Sequence, residues 1–206
     1  MTKILIGLVV VLLLATGGVY VWMTLQPKPE PTPAPVTTPQ PEPLETYASS
    51  TLGFSIWYPK GYAVNELYAY DQFGPEKLIH GVKFTIPLTM ATGTNLSAND
   101  TGISVEWLPR AKTCTGDIYI PANVPAFNLT DGSVKYSIAT TTGAAAGNFY
   151  EETVYALSSS TPCTAVRYFI HSGNIGNYAT GTVREFDRAG LVREFDKIRQ
   201  SLKFTR

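Results

Sequence analysis

The sequence predicts an α+β domain: an antiparallel β-sheet of about six strands, covered by a C-terminal α-helix and a short second helix. Three observations predict it. Several segments alternate apolar and polar side chains with period two. Proline and glycine close those segments at fairly regular intervals. Apolar residues fall at strong helical spacing only once, near the end of the chain.

Two other kinds of sequence precede the domain. Ile4 to Leu25 carries no Asp, Glu, Lys or Arg. At ~1.5 Å per residue this run makes roughly 33 Å of helix, enough to cross a ~30 Å hydrocarbon core. Eight prolines then follow between Pro27 and Pro43. They exclude regular helix and favour an extended stalk. The expected division is therefore 1–25 as a transmembrane signal-anchor, 26–46 as a Pro-rich linker and 47–206 as the globular domain. Lys3 lies before the apolar run, so positive-inside reasoning puts the N-terminus in the cytoplasm and the domain outside a cell membrane that the chain crosses once. Lys28 on the far flank pulls the other way. A cleaved signal peptide, with Ala15-Thr16-Gly17 as a small-x-small site, is the competing reading. Val19 to Leu25 stays apolar past that site and favours the uncleaved anchor.

Bulk charge narrows the partners. Residues 47–206 hold 14 Lys plus Arg and 13 Asp plus Glu, a net of +1. A nucleic-acid-binding domain leaves a basic footprint, so none is expected as a partner. The only cysteines are Cys114 and Cys163. In a domain expected outside the cytoplasm they read as one disulfide, with two buried thiols as the alternative. No short Cys spacing accompanies His80 and His171, so no metal site is expected.

Along the domain, Phe54, Ile56 and Tyr58 alternate with Ser55 and Trp57 before Pro59 and Gly61 turn the chain. Val82 to Ile86 and Ile103 to Leu108 are rich in β-branched and aromatic residues and are closed by Pro87 and Pro109. Three more strands are expected at 134–138, 149–157 and 165–171. The last places Val166, Tyr168 and Ile170 on one face and Arg167, Phe169 and His171 on the other. Residues 89–102 and 139–147, rich in small and polar side chains, read as loops. The short helix is expected near Thr115 to Ile120. After Asp187, a plausible N-cap, Leu191, Phe195, Ile198 and Leu202 fall on one helical face.

The opening Leu52-Gly-Phe-Ser-Ile-Trp-Tyr-Pro-Lys-Gly-Tyr62 and the closing Phe195-Asp-Lys-Ile-Arg-Gln-Ser-Leu-Lys-Phe204 resemble the frame of PsbP-like domains. Those are extrinsic photosystem II subunits and bacterial relatives, and the resemblance implies an antiparallel sheet between helices. It covers the two ends of the domain and no site motif, so it implies no functional residue. The whole chain also resembles uncharacterised, singly anchored envelope proteins of small-genome bacteria.

No catalytic constellation stands out. There is no Gly-x-Ser-x-Gly elbow, and Glu151 and Glu152, as strand neighbours, point to opposite faces. Glu106, Glu151, Glu152 and His171 are the candidates that a hydrolase would have to use. No calcium loop and no phosphate-cradling loop is visible, and no cofactor is implied. Aromatic side chains are the better lead, because Tyr supplies contact area with a polar tip. Tyr62, Tyr68, Tyr70 and Phe73 form the expected ligand or partner surface. Asn95, Asn99 and Asn128 sit in N-x-Ser/Thr sequons. The expectation is a non-catalytic, membrane-anchored extracytoplasmic interaction or ligand-binding domain, facing an envelope protein or cell-wall component. The alternatives are a cell-envelope hydrolase acting on glycan or peptide, and a structural assembly subunit.

Overall fold

A computed structural model describes residues 43–204 of the chain. The expected anchor, residues 4–25, and the prolines of the expected linker up to Pro41 lie outside the described residues. Among the described residues, no helix is long and apolar enough to cross a membrane.

Two antiparallel sheets carry the fold. The smaller has the order β1-β2-β10, from β1 (Leu44–Ser49), β2 (Phe54–Pro59) and β10 (Lys203–Phe204). The larger has seven strands in the order β3-β4-β5-β9-β8-β7-β6. These are β3 (Ala63–Tyr70), β4 (Ile79–Thr85), β5 (Gly102–Leu108), β6 (Phe127–Asp131), β7 (Val134–Ala145), β8 (Asn148–Leu157) and β9 (Cys163–Gly173). Among the described residues two α-helices accompany them, the single turn α1 (Leu88–Ala91) and the longer α2 (Arg188–Gln200), which begins where Asp187 predicted it.

The α+β class stands, but the expectation of about six strands in one sheet is corrected to ten in two. The additional strands are ones that period two does not mark. β1 starts at Leu44, inside the stretch read as linker, and its partner β2 supplies the pairing from Leu44↔Pro59 to Ser49↔Phe54. β3 loses its alternation at a register shift between Asn65 and Tyr68. Residues 140–145, read as loop, continue β7 because their backbone groups pair with β8 out to Ala145↔Asn148. The short helix near residue 115 is a 3-10 turn, Gly116–Tyr119.

The large sheet buries both faces, by different means. On the first face, Leu191, Phe195 and Ile198 of α2 and Phe54 and Ile56 of β2 pack on Val82, Phe84, Ile103, Val105, Val166 and Tyr168. On the second face, Tyr119 and Ile120 cover Ala139, Val154, Ala156 and Ala165. A Cβ on Gly116 would come within 2.6 Å of the Ala139 backbone nitrogen, so glycine lets the 3-10 turn lie flat on β7.

Two polar contacts fix α2. The Asp187 carboxylate accepts from the Gly190 N–H at 2.8 Å, satisfying one free donor of the first turn. Asp187→Ala is expected to lower stability by about 1 kcal/mol, read as a shift in the urea midpoint with an unchanged slope. At the far end, Arg199 reaches Asp131 at 2.8 Å and lies over the rings of Tyr136 and Tyr155. Hydrogen bonds from Gln200 and Arg199 hold the Asp131 carboxyl below its ordinary value of 3.8. A depressed carboxyl stabilises the fold above its unfolded value, and that stabilisation disappears as pH falls through the folded value. Unfolding free energies measured at about pH 5 and about pH 2.5 should therefore converge between wild type and Asp131→Asn at the lower pH. A gap that stays constant with pH would show that the carboxylate charge does not matter.

Candidate functional site

The covering of the second face stops partway along the strands. Gly116–Tyr119 and the segment around it close one half. Over the other half, Tyr68, Tyr70, Lys83, Tyr150, Glu152 and Phe169 line an open cleft of about 610 Å³. That lies within the ~300–1,000 Å³ of small-molecule sites.

Strand register assembles this half. Lys83, Ser104, Arg167 and Val154 form one row across β4, β5, β9 and β8. Thr85, Gly102, Phe169 and Glu152 form the next, and His171 with Tyr150 the one beyond. The predicted alternation of β9 thus holds: Arg167, Phe169 and His171 share the face away from α2.

Arg167 forms the floor between the two halves. Its Nε and Nη2 donate to the two carboxylate oxygens of Glu106 at 2.8 and 2.9 Å. Nη2 also donates to the Tyr119 carbonyl at 2.8 Å, and Nη1 to Glu152. The guanidinium lies 3.6 Å from the centre of the Tyr70 ring. Burial alone would favour deprotonation, but the Glu106 and Glu152 carboxylates outweigh it and hold the Arg167 pKa above its ordinary value. Tyr68 closes over the row next to it because Gly81 stands between: a Cβ there would meet the Val105 carbonyl at 2.7 Å and Glu106 Cγ at 3.0 Å. Burial pushes the phenols of Tyr68 and Tyr70 up, so both remain protonated. The Tyr70 hydroxyl donates to Glu152 at 3.0 Å.

Lys83 is the exception to this saturation. Its Nζ sits 5.4 Å from the centre of the Tyr68 ring and 5.2 Å from that of Phe169. It makes no hydrogen bond or ion pair within the described residues. Burial lowers the Lys83 pKa from its ordinary 10.5, against the opposing pull of Asp100 and Glu106.

At the outer end of the cleft, His171 stacks on Tyr150 with ring centres 4.6 Å apart. Its Nδ1 lies 2.7 Å from an Asp100 oxygen and its Nε2 3.0 Å from Asn148 Oδ1. Asp100 is placed by the loop before β5, which buried Asn95 ties to Gly173 and Phe186. Asn95 is therefore a structural residue despite its sequon, whereas Asn99 and Asn128 are exposed.

The sequence candidates separate in space. Tyr68 and Tyr70 are on the cleft wall, and Phe73 packs edge-on against Tyr70 at 6.2 Å. Tyr62 lies in the core on the other face, with its hydroxyl on Glu194 of α2. Glu106 is fully buried under Arg167. Glu151 pairs with Arg188 on the α2 side, while its neighbour Glu152 faces the cleft. The Cys114–Cys163 disulfide is formed. Lys83, Asp100, Tyr150 and Phe169 are cleft residues that sequence reasoning missed. The alternation of β4 was the one signal that could have placed Lys83, since it puts Lys83 opposite Val82 and Phe84.

No protein-family model matches the chain, and no curated protein matches it. Among solved structures the chain is similar to cyanobacterial PsbP (CyanoP) from Synechocystis sp. PCC 6803. Identity is 14% and the TM-score 0.42, over 86% of this chain and 99% of that one.

Proposed function

We propose that this chain is a non-catalytic ligand-binding module, held outside the cell membrane by residues 4–25 and spaced from it by the proline-rich linker. Envelope proteins with a single anchor are the class it resembles in organisation. The observation that carries the reading is the half-covered second face. The same strands that are sealed by Tyr119 and Ile120 at one end are left open over Tyr150, Phe169 and Lys83 at the other. Leaving aromatic and charged side chains uncovered within a rigid sheet suits binding, because no rearrangement is needed to form the site.

The surrounding chemistry favours binding over turnover. The buried carboxylate Glu106 is spent on Arg167, and both His171 ring nitrogens are engaged by Asp100 and Asn148. Neither is poised to take a proton from a nucleophile.

The reading is tested by titrating small aromatic and polar solutes into the full-length protein in lipid nanodiscs, with ring-labelled Tyr and Phe observed by NMR. Shifts confined to Tyr68, Tyr70, Tyr150 and Phe169, and abolished by Phe169→Ala in a folded variant, are expected. Shifts spread over the surface, or seated on the α2 face, would overturn it.

One observation favours an envelope protein as a second kind of partner. Leu67 projects from edge strand β3 at 93% exposure, close in sequence to Tyr68 and Tyr70. Crosslinking from position 67 in the native membrane should capture one reproducible protein if that edge is used, and nothing reproducible if it is not.

A further inference from the structure

The open cleft has an unusual charge arrangement that constrains what it takes. Asp71, Asp100 and Glu152 line it, and Glu106 lies beneath its floor. Against these four carboxylates stand two cations, Lys83 and Arg167, giving a net of −2 before His171 is counted. Arg167 is consumed by Glu106 and Glu152. The acidic balance disfavours a simple anion, which would enter a field of its own sign. A simple cation meets a different obstacle: Lys83 already occupies the space between the Tyr68 and Phe169 rings, where an organic cation would otherwise sit.

A ligand carrying both charges resolves the conflict. Lys83 has three donors and none of them is used within the described residues. Glu152 keeps part of its carboxylate toward the cleft, its side chain 13% exposed, and Asp71 is exposed at the rim. Between them, Tyr150 and Phe169 offer ring faces 6.2 Å apart between centres.

Resting on the binding reading above, we propose that the cleft takes a zwitterion with a flat apolar body. Its carboxylate sits on Lys83 Nζ, its ammonium faces Glu152 and Asp71, and its body lies on Phe169 and Tyr150. An aromatic α-amino acid has this chemistry. The desolvation that depresses the Lys83 pKa acts in the same direction, because an unpartnered ammonium among aromatic rings gains most from an incoming carboxylate.

Three probes separate the charges: phenylalanine, N-acetylphenylalanine, which lacks the cation, and phenylalaninamide, which lacks the anion. They are titrated into the full-length protein in nanodiscs, and affinity is read from the Tyr150 and Phe169 ring signals. Phenylalanine should bind about tenfold tighter than either single-charge probe, the worth of one charge-assisted hydrogen bond. Lys83→Met should weaken phenylalanine and remove its advantage over phenylalaninamide, while Lys83→Arg should keep most of the advantage. If either single-charge probe equals or exceeds phenylalanine at the cleft, the zwitterion assignment is overturned and the binding reading stands. If none of the three moves the cleft rings, the zwitterion assignment is overturned, and the wider solute titration decides the binding reading.

Discussion

Glu106→Gln is expected to lower the unfolding free energy by about 3–5 kcal/mol, because it removes one partner of a fully buried ion pair. Both side chains of the Glu106–Arg167 pair have zero exposure. The carboxylate takes two hydrogen bonds from the guanidinium in a bidentate arrangement, and a third from Ser104 at 2.7 Å. Glutamine keeps the shape, but its amide nitrogen must then face a guanidinium N–H, and the Arg167 charge loses its main compensation. Glu152→Gln should be milder, since that carboxylate is partly exposed and water can replace it. Arg167→Met combined with Glu106→Gln should fall well short of the sum of the two single effects, because each single change already breaks the same pair. Urea titrations of the four proteins measure this directly. A Glu106→Gln loss under about 1 kcal/mol would mean that the pair is compensated by solvent and does not hold the floor of the cleft.

How far this floor was legible in the sequence depends on the residue. The alternation of β9 placed Arg167 on the same face as Phe169 and His171, and strand adjacency separated Glu151 from Glu152; both readings match the structure. The helix after Asp187 was equally legible, because its cap and its apolar spacing are local properties. What escaped was set by pairing across the sheet. Asp100 and His171 are 71 positions apart and meet only because the loop before β5 is tied to the end of β9. Tyr68 and Tyr70 were legible as surface aromatics, but the strand that carries them was not: a bulge at Asn65/Tyr68 resets the register of β3 and brings both to the cleft wall. Residues 140–145 carry Thr, Gly and Ala on a largely exposed ribbon, so hydrophobic period could not mark them, and hydrogen bonds to β8 decide their conformation. Lys83 shows the limit most clearly. Its side chain is an ordinary exposed-strand residue by pattern, and only the rings of Tyr68 and Phe169, from strands on either side, make it special.

Replacing Cys114 and Cys163 together by alanine is expected to lower stability by about 4 kcal/mol, the chain-entropy value for a closed loop of their separation, 49 residues. Where that loss appears matters more than its size. Cys163 opens β9, whereas Cys114 belongs to the segment between β5 and β6, whose only regular structure is the four-residue 3-10 turn. That segment supplies Tyr119, whose carbonyl accepts from Arg167 and whose hydroxyl donates to the Cys163 carbonyl at 2.8 Å. Without the disulfide, the covering of the second face is held by these bonds, by the Gly116 N–H donating to Ser137 Oγ at 3.2 Å, and by apolar contact. Amide hydrogen exchange should therefore accelerate first around 109–126, with α2 and the centre of β9 protected until global unfolding. Equal acceleration in α2 would show that the disulfide stabilises the whole domain through its unfolded state. Selective loss around 109–126 would show that it chiefly pins the cover against the sheet. In that second case the position of Arg167, and with it the boundary between the sealed and open halves of the face, depends on a covalent bond formed only under oxidising conditions.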